Sequence, residues 1–134
     1  MHERDAAGEC LELLTQYRSG VGKAVLHCFT GTETFLKQLL DLDIHIGITG
    51  WICDERRGEH LRTAVRLIPH QRLMLETDAP YLLPRDMRPK PKSSRNEPAY
   101  LTHILERLAH LRGQTIDELA KQTEVTVKDF FSLY

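Results

Sequence analysis

The sequence predicts an α/β fold built on a parallel sheet, and three observations carry that prediction. Short apolar runs of strand length alternate with stretches of helical periodicity. Those runs are apolar on both faces, as strands buried under helices are. Each run also ends in a polar residue or pair, as strands do where a parallel sheet carries its chemistry.

The elements follow in order. Residues 6–18 place Cys10, Leu13, Leu14 and Tyr17 at helical spacing, and Gly20 and Gly22 break the pattern. "KAVLHCF" (23–29) reads as a strand, and Phe35, Leu36, Leu39 and Leu40 give one face to a helix over 33–42. "IHIGITG" (44–50) is a second strand, rich in β-branched isoleucine. Leu61, Ala64, Val65 and Ile68 mark a helix over 55–68, and "RLMLETD" (72–78) is the third strand. The segment 79–97 contains Pro80, Pro84, Pro89 and Pro91 and is therefore a loop. Asn96 is placed to cap a helix over 98–112 that Gly113 ends. "TIDE" (115–118) and "TVKD" (126–129) read as capping boxes opening two short terminal helices.

Composition narrows the function classes. The chain has 134 residues, the size of one domain, and its net charge of −1 gives no global pull toward nucleic acid or membrane. It has no apolar run of membrane-spanning length and no secretory signal pattern, which points to a cytoplasmic protein. Cys10, Cys28 and Cys53 are widely spaced and odd in number, as reduced thiols are, and no C-x-x-C pair suggests a zinc-cysteine cluster.

The chemistry concentrates at the strand ends. His27 precedes Cys28-Phe29-Thr30-Gly31, Thr49-Gly50-Trp51 closes the second strand, and Glu76-Thr77-Asp78 closes the third. His2 stands before the first helix, where a preceding strand would end. Imidazole and carboxylate converging on one rim suit a divalent metal. On pattern alone, His27 reads more readily as a hydrogen-bonded core residue and Asp78 as a turn residue or cap than as metal ligands. The 85–95 loop carries Arg85, Arg88, Lys90, Lys92 and Arg95 against Asp86 alone, a balance that suits phosphate or a plain solvated loop. His60, His70, His103 and His110 read as surface residues, and His45 lies at the strand end away from the rim.

Specific words then align with a known family. "HERDA" (2–6), "VLHCFTG" (25–31), "GITG" (47–50), "ETDAPYLLP" (76–84) and "RNEPAYL" (95–101) resemble, in order and spacing, the TatD-type metal-dependent deoxyribonucleases. The resemblance implies that residues 1–134 form a single partial domain. This would be the C-terminal half of a TIM-like (β/α)8 barrel, with about three complete parallel strands and flanking helices. It implies that His2, His27 and Asp78 ligate divalent metal (Mg, Mn or Zn), with Asp78 also orienting or deprotonating the attacking water. Glu76, Asn96 and Glu97 would support those ligands, and Thr30, Trp51, Tyr81, Arg85 and Arg95 would face substrate. The reaction implied is hydrolysis of DNA phosphodiesters, mostly from 3′ ends of single strands. The family's H-x-H and G-E-x-G-L-D words are not found in the 134 residues. The chain is therefore expected to be a truncated copy with little or no activity alone. A barrel hydrolase of amides or small esters, or a non-catalytic remnant, are the alternatives.

Overall fold

The computed structural model describes residues 1–133. The expected order holds through residue 112: α1 (Ala7–Tyr17), β1 (Val25–Leu26), α2 (Glu33–Asp41), β2 (His45–Ile48), α3 (Glu59–Ala64), β3 (Leu73–Leu75) and α4 (Leu101–Arg112), followed by α5 (Ile116–Phe131). The three strands form one parallel sheet in the order β1-β2-β3, with Val25 opposite His45 and Ile46 opposite Leu73. Residue 1 extends the sheet past β1. The Met1 ammonium donates to the Val25 carbonyl (2.9 Å), and the His27 amide donates to the Met1 carbonyl (2.8 Å).

All four residues of β2 are buried, which is why its sequence shows no alternation. Leu26, Ile46, Ile48 and Leu73 of the strands pack with Leu36, Leu39, Leu61, Ile104, Leu108 and Leu119 of the helices in one core. The outer flank is less covered: Leu13, Tyr17 and Val21, on and just beyond α1, are about half exposed.

Several expected elements are shorter or differently ended. The first strand is only Val25–Leu26, because the chain turns at Cys28, whose φ is 53°. The helix expected over 55–68 is helical only over Glu59–Ala64 and otherwise consists of turns. Asn96 does not cap the next helix. That helix begins with a 3-10 turn at Pro98–Tyr100, and the Asn96 side chain reaches back toward β3 instead. Gly113 does end α4, at φ 66°, in the left-handed region that glycine enters without a Cβ clash.

The two terminal helices are one, Ile116–Phe131. Thr115 makes the expected capping box with Glu118. Thr126 caps nothing. Its hydroxyl donates to the Gln122 carbonyl of its own helix and to the His70 carbonyl below β3. No glycine or proline interrupts 116–131, so the helix runs through.

Candidate metal and nucleic-acid site

The C-terminal ends of β1 and β3 bring His27, Glu76 and Asp78 together. The His27 ring lies between two carboxylates: Nδ1 is 2.6 Å from Glu76 Oε2, and Nε2 is 3.2 Å from Asp78 Oδ1. A carboxylate only accepts, so Nδ1–H is the donor to Glu76. Glu76 Oε2 also accepts the Cys28 amide at 3.0 Å. Glu76 thereby fixes both the orientation and the tautomer of His27.

This arrangement explains Gly47. A Cβ at Gly47 would collide with the Glu76 carboxylate, so β2 passes close enough to hold Glu76 against His27 only without a side chain there. The backbone is also bent at both ends of the pair. Cys28 and Asp78 adopt left-handed φ of 53° and 60°, a conformation that costs non-glycine residues energy and clusters at functional sites.

His2 approaches from the Met1 extension. Its ring centroid is 5.6 Å from that of His27, and its side chain is exposed. The metal-capable group at this rim is instead His27, Cys28 and Asp78, whose ligand atoms lie within 4.8 Å of one another. Cys28 was not foreseen; its only sequence signal is its place beside His27. Its thiol lies 3.3 Å from the Thr49 hydroxyl, and burial first, then the Asp78 and Glu76 charges, push its pKa up. A thiol held protonated in this way is a poorer ligand than a carboxylate or imidazole.

The donor set fits a divalent ion. With Nδ1–H committed to Glu76, Nε2 is the ring nitrogen left to act as a ligand, and it lies 3.2 Å from the Asp78 carboxylate. A cation between them satisfies both, and a histidine backed by a carboxylate is the usual support for such a ligand.

The supporting residues divide. Asn96 is buried, and its amide donates to the Thr77 carbonyl (2.8 Å) and the Tyr81 carbonyl (2.6 Å), which clamps the chain on both sides of Asp78. Glu97 is exposed, and its backbone amide donates to Asn96 Oδ1 (2.9 Å). The expected substrate residues are more dispersed. The Thr30 carbonyl meets His60 Nε2 at 2.9 Å, and Tyr81 is exposed. Trp51 and Arg85 line a cavity of about 520 Å³. Arg95 lines a separate pocket with Ala79, Pro80 and Asn96.

His103 is not a surface residue. It is half-buried, and its Nε2 is 2.7 Å from Asp86 Oδ1, while Arg107 Nε lies 3.5 Å from the other oxygen. The Cys53 thiol completes this cluster. Burial and then the Asp86 charge push its pKa up, so it stays a thiol. Asp86, the lone acid of the basic loop, is thus the anchor that ties the loop to α4. His60, His70 and His110 are exposed as expected.

Comparison with known proteins gives this geometry a family. The model of the TatD related DNase family matches residues 1–132. The chain is 53% identical over 133 residues to the 3′-5′ ssDNA/RNA exonuclease TatD of Citrobacter rodentium, covering 99% of this chain and 51% of that protein. The protein of the same name from Escherichia coli K12 gives the same identity and coverage. Among solved structures, the TatD homologue YJJV from Escherichia coli K12 superposes with a TM-score of 0.86 at 23% identity, over 99% of this chain and 49% of that one. An uncharacterized amidohydrolase from Saccharomyces cerevisiae superposes with a TM-score of 0.83 at 20% identity, over 97% of this chain and 52% of that one. The chain spans about half the length of the relatives it matches, and its three-stranded sheet with flanking helices is part of a TIM barrel. The chain belongs to the TatD related DNase family.

Proposed function

We propose that this member of the TatD related DNase family supplies the C-terminal part of a divalent-metal-dependent phosphodiesterase site acting on the 3′ ends of single-stranded nucleic acid. The observation that carries the reading is His27, fixed through Nδ1 by Glu76 and turned through Nε2 toward Asp78. The exonuclease names of relatives 53% identical to this chain support the substrate class.

His27 and Asp78 would hold the ion (Mg, Mn or Zn), with His2 beside them. When bound, the ion supplies positive charge that polarises a phosphodiester oxygen and acidifies a nearby water. Glu76 keeps the His27 lone pair aimed at the ion. Asp78 has a second carboxylate oxygen that can accept the proton of the attacking water. Asn96 holds the backbone flanking Asp78 in place. Arg85 and its basic neighbours offset phosphate charge, which favours phosphodiesters over neutral amides or esters.

The 134-residue polypeptide by itself turns over substrate slowly. It offers few ligands from its own residues, and the His2 side chain is exposed. An assay on a 5′-labelled single-stranded oligonucleotide tests both parts. Slow, chelator-sensitive shortening from the 3′ end that disappears in Asp78→Asn is expected. Rapid digestion by the polypeptide contradicts slow turnover. Shortening that survives EDTA or Asp78→Asn contradicts the site. The chain carries no helix, among the described residues, long and apolar enough to cross a membrane.

A further inference from the structure

We propose that the cavity beside the candidate metal site is a track for single-stranded nucleic acid, holding the nucleotides next to the one being cut. This rests on the phosphodiesterase reading and deepens it by assigning the strand a path. The cavity holds about 520 Å³, within the usual range for ligand sites. Its walls follow β2 and β3 at the same C-terminal rim. One wall starts at Gly50, directly after Thr49, whose hydroxyl touches Cys28 Sγ. The other starts at Leu82, directly after Tyr81, whose amide donates to the Asp78 carbonyl at 2.8 Å. At Gly50 the walls meet so closely that a Cβ would press on the Leu82 carbonyl.

The lining has the two parts that single strands require, cations for the backbone and flat surfaces for the bases. Arg57, Arg85, Lys90 and Lys92 line the cavity, and Asp54 is its one carboxylate. Asp54 is already engaged: it accepts the backbone amides of Arg56 (2.9 Å) and Arg57 (3.3 Å), and Arg85 Nε lies 3.7 Å from its Oδ2. Among the described residues no carboxylate pairs with Arg57, Lys90 or Lys92, so their charge faces the cavity uncompensated. The flat surface is Trp51, with the Arg57 guanidinium 5.7 Å from its ring centroid. Asp86, held by His103 and Arg107, fixes the loop that presents Arg85, Lys90 and Lys92.

Trp51 is the only tryptophan in the chain, so its fluorescence reports on this cavity alone. The test titrates oligo-dT of increasing length into the full chain in EDTA, reading Trp51 emission together with anisotropy of labelled DNA. Saturable quenching that tightens with length is expected. In Arg85→Ala/Lys90→Ala/Lys92→Ala, affinity should fall about tenfold or more, and the slope of log Kd against log salt should drop by about two, at roughly 0.7 per single-strand phosphate. Lys121→Ala, on the exposed face of α5, should bind as the parent does. Oligo-rU in place of oligo-dT shows whether the track prefers one sugar, and quenching by either supports it. No binding, binding without Trp51 quenching, or binding unchanged in the triple variant overturns the proposal. Because EDTA removes metal, this outcome is separate from the cleavage assay: a chain that binds but never cuts contradicts the phosphodiesterase reading and leaves the track standing.

Discussion

His27 and His45 occupy opposite ends of adjacent parallel strands, and the sheet treats them differently. His27 ends β1 at the rim, partly exposed, with a carboxylate at each ring nitrogen. His45 opens β2 at the other end, 3% exposed, with neither ring nitrogen hydrogen-bonded. Its ring instead meets Phe130 of α5 edge-on, with centroids 4.8 Å apart. Burial, then the nearby Arg72 charge, hold the His45 pKa below its ordinary value. The same residue type is a polar instrument at one end and packing material at the other. The C-terminal end carries half-buried charge at His27 because the segment after β3 brings Glu76 and Asp78 to it, whereas at the N-terminal end α5 sets Phe130 against His45 and keeps its Asp129 outside, paired with Lys23.

The contrast can be broken most sharply at the rim. His27→Ala should weaken Mn2+ binding by more than 100-fold, beyond the roughly 10- to 100-fold typical of removing an outer partner, with thermal stability nearly unchanged. Metal titration followed by calorimetry checks this. Glu76→Gln should fall inside that outer-partner range, and Gly47→Ala should match it, because the new Cβ displaces the Glu76 carboxylate. A Gly47→Ala protein with parental metal affinity would separate Gly47 from the site.

At the other end the sign reverses. His45→Leu removes two buried unsatisfied nitrogens, each of which costs about 1–3 kcal/mol, and loses an aromatic contact worth about 1 kcal/mol. A net gain of about 1–5 kcal/mol in urea unfolding is expected, with metal binding untouched. The pH dependence follows from the lowered pKa. Above the unfolded value of 6.5 the ring is neutral in both states and stability is full. As pH falls below 6.5 the unfolded chain takes up the proton first. Stability then declines until the lower folded pKa is passed. His45→Leu should lose that part of the slope. The smallest effect is expected at the α5 cap: Thr115→Ala should cost about 1 kcal/mol in unfolding and nothing in metal binding.

The sequence carried the strand-helix order and the rim, because apolar runs and their polar ends are local features; His27 and Asp78 stood out only through the resemblance of the HCFTG and ETDAP words to a known family. It did not carry what depends on distance. The single helix of residues 116–131 hides behind a second T-x-x-D word, since Thr126 spends its hydroxyl on the His70 carbonyl. His103 looked like a surface residue because its partner Asp86 is 17 positions away in the chain. Cys28 joins the metal-capable group only because the backbone turns left-handed there. Gly47 reads as a weak strand position until Glu76 is seen to fill the space that a side chain would need.

The most direct test of the difference between the two ends is a Mn2+ titration, followed by electron paramagnetic resonance, of the parent chain, Asp78→Asn and His45→Leu in parallel. One saturable, EDTA-reversible site is predicted in the parent and in His45→Leu, and none in Asp78→Asn. Equal binding in all three proteins, or no saturable binding in the parent, would contradict the assignment of the rim as the metal site.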